Sequence, residues 1–206
     1  MGTSGPSLYE TCTPHEDVLE GTLSENQFAA KLSGVVFNPD SAPRIYADPE
    51  TFFTKTYATD GLQDLLTLLA KRFVGKLTDE YSRENGFLSL DTVFGGGKTH
   101  SQIAAYHFSK NPSAIDKISE FIPDGEIADA FSEIQEDFTI QAAVFEGGHV
   151  SAMDAKCNKD DPSAPSTQTI WGELAYQLGG ADGYALFSSY DSNRIAPGES
   201  DIEELF

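Results

Sequence analysis

The sequence predicts an α/β fold: a parallel sheet with flanking helices over residues 83–206, incomplete at its C-terminal side, preceded by a helical region over residues 1–82. Three observations predict it. Two short apolar runs, "GFLSLDTVF" (86–94) and "FTIQAAVFEGG" (138–148), are bounded by glycines, as buried strands are. Helix-period segments lie between them. A glycine triplet, Gly95, Gly96 and Gly97, separates the first run from a helix pattern, which puts a loop at the carboxyl end of a strand.

Taken in order, "TPHEDVLEG" offers Thr13 as an N-cap, Pro14 at the first helical position and Glu16 three residues on, a capping box. "SENQFAAKLSG" repeats the pattern, with Ser24 as cap, Gln27 at the third position and Gly34 after the end. Asp48, Pro49 and Glu50 start the next helix. Residues 60–75 set Leu62, Leu65, Leu66, Leu69 and Phe73 on one helical face, which most simply packs on the sheet. After Gly97, Ile103, Ala104, His107 and Phe108 share a face until Asn111 and Pro112 end the helix. "DGEIADAFSEIQ" is a further helix, and residues 154–168 read as a polar, proline-containing loop. "TIWGELAYQLGG" and "GYALFSSYD" read as two short helices separated by glycines. "PGESDIEELF" is a fresh helix start, with Ser200 as cap and Glu203 three residues on. So short a helix is marginal unless docked, so the chain reads as ending inside a larger domain.

Composition narrows the function classes. Thirteen basic against 33 acidic side chains give a net charge of −20, which argues against a broad nucleic-acid footprint. The acid is concentrated late: residues 1–100 carry 8 basic and 14 acidic groups, residues 101–206 carry 5 and 19. Its simplest reading is a solvated surface. No apolar run is long enough for a membrane span and no signal segment opens the chain, so the expected location is the cytoplasm. Cys12 and Cys157 lie far apart without metal-ligand spacing, so neither a zinc site nor a disulfide framework is indicated.

The glycine segment carries the chemistry. A phosphate loop needs backbone N–H groups free to point inward, no Cβ in the way, and a helix N-terminus facing the anion. Gly95, Gly96 and Gly97 supply the first two, Lys98 a cation for the β and γ phosphates, and Thr99 a hydroxyl where magnesium is normally held. The expectation is therefore a variant Walker A loop in a P-loop NTPase-like sheet, with ATP and magnesium as its ligands. Thr92 stands where the first glycine of the usual pattern would be. His100 follows in the first helical turn, with phosphate contact, capping and packing all open to it. His107, on the apolar face, is expected to be a core histidine.

Hydrolysis also needs a second acid at a strand end. Glu146, closing "AAVFE", is the weak catalytic candidate beside Lys98, with Asp91 another carboxylate nearby in sequence. Arg194 is read as a surface residue.

Four blocks in order, "PHEDVLEGTLSENQFAAKL", "YADPETFFTKTYATDGLQDLL", "LDTVFGGGKTHSQIAAYHF" and "TIWGELAYQLGG", resemble the prokaryotic P-loop ATPases filed as domain of unknown function 499, large AAA-type proteins. Their loop also reads F-G-G-G-K-T-H, so the resemblance makes Thr92 a family trait. It implies ATP binding at Gly95 to Thr99, with His100 belonging to the motif. It also implies an apolar strand ending in Asp-Glu beyond the last residue, so this chain resembles an N-terminal portion and is not expected to hydrolyse ATP efficiently alone. Family members look like components of DNA-modification or phage-defence gene clusters.

The function expected is thus nucleoside triphosphate binding as part of an AAA-type ATPase. The alternative is a non-catalytic acidic fragment that docks a partner protein, its loop vestigial. A small-molecule phosphotransferase ranks third, for want of a substrate-binding Arg or Asp cluster. Candidate partners are the nucleotide, a protein or the remainder of a larger ATPase, with neither nucleic acid nor membrane indicated.

Overall fold

The computed structural model describes residues 7, 11–14, 16–21, 30–77, 87–91, 96–134, 140–147 and 164–205. Two compact units divide the chain, Met1–Ala30 and Lys31–Phe206. In the first, a single helical turn, α1 (Glu16–Leu19), opens later than the Thr13 cap predicts. Residues 22–29, which hold the expected Ser24 cap, lie outside the described residues.

The α-helices among the described residues of the second unit are α2 (Leu32–Phe37), α3 (Arg44–Ala47), α4 (Pro49–Lys55), α5 (Asp60–Leu77), α6 (Lys98–Lys110), α7 (Ile118–Phe121), α8 (Gly125–Ile134), α9 (Ile170–Asn193) and α10 (Glu199–Leu205). Helix α2 runs through Gly34 instead of ending before it. Helix α4 starts as its sequence predicts, with Asp48 accepting from the Thr51 N–H at 2.9 Å. The Thr51 hydroxyl and backbone hydrogen bonds hold the Asp48 carboxyl below its usual range.

The expected parallel α/β sheet is corrected by the structure, because no strand occurs among the described residues. Residues 87–91, expected to open a buried strand, are irregular, with Phe87 76 % and Leu88 47 % exposed. Residues 140–146 form no ladder either, and the reason is visible in their partners. The Gln177 side chain accepts from Val144 N at 2.7 Å and donates to Val144 O at 2.8 Å, taking the two backbone groups a neighbouring strand would take. A short apolar run has no period that distinguishes these outcomes. Without a strand before Gly96, the strand–loop–helix setting of a P-loop NTPase and its Walker A motif is absent from the described residues, and that assignment is withdrawn.

Helices take the sheet's place. Helix α5 packs on α6, α7 and α8 through Leu62, Leu65, Leu66, Ala70 and Val74. Its predicted stripe is present, but drifts toward Ala70 and Val74 while Leu69 and Phe73 stay partly buried. Phe73 still stacks, with ring centroids 6.2 Å from Phe108 and 6.1 Å from Phe131, and the latter two lie 4.5 Å apart. On α6 the buried residues are the predicted Ile103, Ala104, His107 and Phe108.

Helix α9 is two helices joined at Gly180, whose φ of 62° and ψ of −147° break the regular path. The expected glycine-separated pair is therefore present, folded back on itself. Gly172 lies against Asp191 so closely that a Cβ there would stand 2.5 Å from Asp191 Cγ. The C-terminal cap differs from expectation: α10 begins at Glu199, and Asp201, not Ser200, accepts from Gly198 N (3.0 Å) and Tyr190 OH (2.9 Å).

Candidate functional site

The candidate site is the start of α6. Gly97 has φ 77° and ψ 11°, a left-handed conformation that costs an L side chain about 1–2 kcal/mol and glycine nothing. The first intrahelical bond is Ser101 N to Gly97 O at 2.9 Å. The N–H groups of Lys98, Thr99 and His100 precede it, so the helix itself does not use them. They carry the positive end of a 13-residue helix. Gly96, Gly97 and Lys98 are exposed and Thr99 is half-buried. Gly95 and Thr92 lie outside the described residues.

His100 turns away from this mouth, toward the end of α4. Its Nε2 lies 3.0 Å from Thr56 Oγ1, and that hydroxyl lies 2.6 Å from Phe52 O. A carbonyl can only accept, so the single hydroxyl proton goes to Phe52 and His100 Nε2–H donates to Thr56. Its ring also rests on Phe52, with centroids 4.6 Å apart. Burial pushes the His100 pKa down, which keeps the imidazole neutral at pH 7. His100 thereby fastens the first turn of α6 to α4.

His107, two turns on, is the expected core histidine. Its Nε2 donates to Tyr46 O at 2.7 Å, and its Nδ1 is buried with no hydrogen-bond partner among the described residues. Burial lowers its pKa, against smaller upward effects from the Tyr46 carbonyl and the Asp48 charge.

Glu146 works at another helix end. Its Oε2 accepts from Ser33 N at 2.9 Å, a carboxylate at the N-terminus of α2. Asp91 is exposed, and exposed Arg194 donates to Gln168 Oε1 at 3.1 Å. No group of three or more His, Cys, Asp or Glu able to hold a metal occurs among the described residues. Thr99 fits magnesium only as one oxygen beside phosphate and water ligands, the manner in which this ion is usually bound.

Sequence reasoning missed Thr56, the anchor of His100, because a threonine in "KTYATD" bears no local sign of a partner 44 positions away. It also missed the buried carboxylates of α9. Asp191 accepts from Gln168 N, Thr169 N, Thr169 Oγ1 and Tyr184 OH, and Glu173 accepts from Thr167 Oγ1 and Gln177 Nε2. A cleft of about 420 Å³ beside Glu173 is lined also by Phe37, Gln141 and Tyr176.

These features define a helical protein with a glycine-led, lysine-bearing helix terminus. The chain belongs to the DUF499 N-terminal domain family, whose sequence signature matches residues 9–206. No curated protein and no solved structure matches it. Among the described residues no helix is long and apolar enough to cross a membrane.

Proposed function

We propose that this chain binds ATP with magnesium at the start of α6, as the N-terminal part of a larger cytoplasmic ATPase. The observation that carries the reading is the left-handed Gly97 leading directly into exposed Lys98 and half-buried Thr99 on the first turn of a 13-residue helix. Backbone N–H groups and the helix dipole attract an anion there, and Gly96 and Gly97 keep side-chain bulk out of its path. The Lys98 ammonium balances the β and γ phosphates. The Thr99 hydroxyl completes the coordination of a magnesium ion whose other ligands are phosphate oxygens and water.

Binding, not turnover, is the role assigned to these residues. Hydrolysis requires an acid to orient water and hold the metal, whereas the Glu146 carboxylate is engaged at α2. Calorimetric titration of the chain with Mg-ATP should give saturable binding that Lys98→Ala weakens at least ten-fold. Equal affinity in the two proteins would refute the reading.

A further inference from the structure

Glu173, in the first turn of α9, is 3 % exposed and lines the cleft of about 420 Å³. Its hydrogen-bond partners are both neutral: Oε2 accepts from Thr167 Oγ1 at 2.9 Å and Oε1 from Gln177 Nε2 at 3.0 Å. The Gln177 amide is fixed in one orientation, because its Oε1 takes the Val144 N–H and its Nε2 the Val144 carbonyl. Its NH₂ group therefore faces Glu173, whose oxygen there must accept. No Lys, Arg or His among the described residues pairs with this carboxylate. The Lys110 ammonium reaches Gln141, another residue of the cleft, but is engaged by Gln141 Oε1 and Ile140 O at 3.5 and 3.4 Å. A buried carboxylate without a counter-charge is costly, and neutral donors offset only part of that cost. An ionised carboxylate has about four lone-pair sites, so two donors leave about half of them open.

We infer that the cleft beside Glu173 binds a small organic cation, an ammonium group carrying an apolar body. The uncompensated carboxylate selects for positive charge. The lining selects an organic cation over a metal ion, which needs several oxygen ligands, whereas Glu173 is the only carboxylate among the described residues of the cleft. Phe37, Tyr176 and Leu178 supply apolar surface for the hydrocarbon, and aromatic faces attract cations. The volume lies within the range of small-molecule clefts, about 300–1,000 Å³. This cleft shares no residue with the start of α6, so the two sites stand or fall separately.

Three probes of one shape and different charge test the assignment on the parent chain: phenethylammonium, phenethyl alcohol and hydrocinnamate. The side-chain amide protons of Gln177 and the backbone amide of Val144 report occupancy in a resonance-shift titration, since both groups adjoin Glu173 through hydrogen bonds. Phenethylammonium should shift them saturably, at least about ten-fold more tightly than the alcohol, as a hydrogen bond to a charged group implies. Hydrocinnamate should leave them unmoved. Glu173→Gln should reduce the ammonium affinity to that of the alcohol, and Phe37→Leu, which keeps apolar bulk but removes the π-face, should weaken the ammonium more than the alcohol. The site is overturned if the alcohol or hydrocinnamate binds as tightly as the ammonium, if the ammonium shifts none of these resonances saturably, or if a folded Glu173→Gln chain keeps the parent's preference. Because the comparison of the three probes needs no substitution, a Glu173→Gln chain that fails to fold leaves the test intact.

Discussion

The helices from α4 to α8 and the folded-back helix α9 are held together by opposite means. The first group buries periodic apolar side chains, with the rings of Phe73, Phe108 and Phe131 each stacked against the other two. In the second, Gly172 lets the chain approach Asp191, which is 1 % exposed and takes its donors from Gln168, Thr169 and Tyr184. Area burial is non-directional and tolerates exchanges of similar volume. A buried carboxylate tolerates none that removes an acceptor, since each orphaned donor costs free energy.

Substitution exposes that contrast. Asp191→Ala should cost about 3–5 kcal/mol, the range for breaking a buried charged network, and the near-isosteric Asp191→Asn should recover little, because its NH₂ faces donors. Phe108→Ala should cost a similar ~3–5 kcal/mol through a cavity, but Phe108→Leu under about 1.5 kcal/mol. Urea melts of the four variants decide the matter. Equal recovery by both conservative changes would show that the two regions do not differ in kind. Gly172→Ala should come next, at about 1–3 kcal/mol, because the Asp191 side chain must move; a melt unchanged from the parent would remove the close-approach argument.

The smallest effect expected is a pH dependence in the first region. His107 is held neutral, its pKa lowered chiefly by burial, so the unfolded chain binds the proton more readily. Its contribution to stability is therefore complete above about pH 6.5 and falls as acid takes the pH through that value toward the lower folded pKa. Denaturation midpoints between pH 7.5 and 5.5 should drop less for His107→Gln than for the parent chain. Asp48, with a lowered pKa, loses its contribution only in a more acidic range. An identical drop in both proteins would locate the acid sensitivity elsewhere.

The same contrast explains what could be read from sequence. The faces of α5 and α6 were legible because a 3.6-residue period repeats in them, and the Asp48 cap was legible because it acts three residues away. The glycine-separated pair in α9 was legible for the same local reason. The sheet was misread because 140–146 has the apolar content of a strand while its partner is the side chain of Gln177. Of the candidate site, glycines, Lys98 and Thr99 were visible as a string. The turn of His100 toward Thr56 was not, since it depends on how α4 meets α6.

The central claim is that the start of α6 receives a nucleotide, and amide spectroscopy of the isotope-labelled chain tests it most directly. Adding Mg-ATP should shift the backbone resonances of Gly96, Gly97, Lys98 and Thr99 in a saturable way, and Lys98→Ala should abolish that response at the same concentrations. Unmoved resonances at these four residues, or shifts that persist unchanged in Lys98→Ala, would contradict the account.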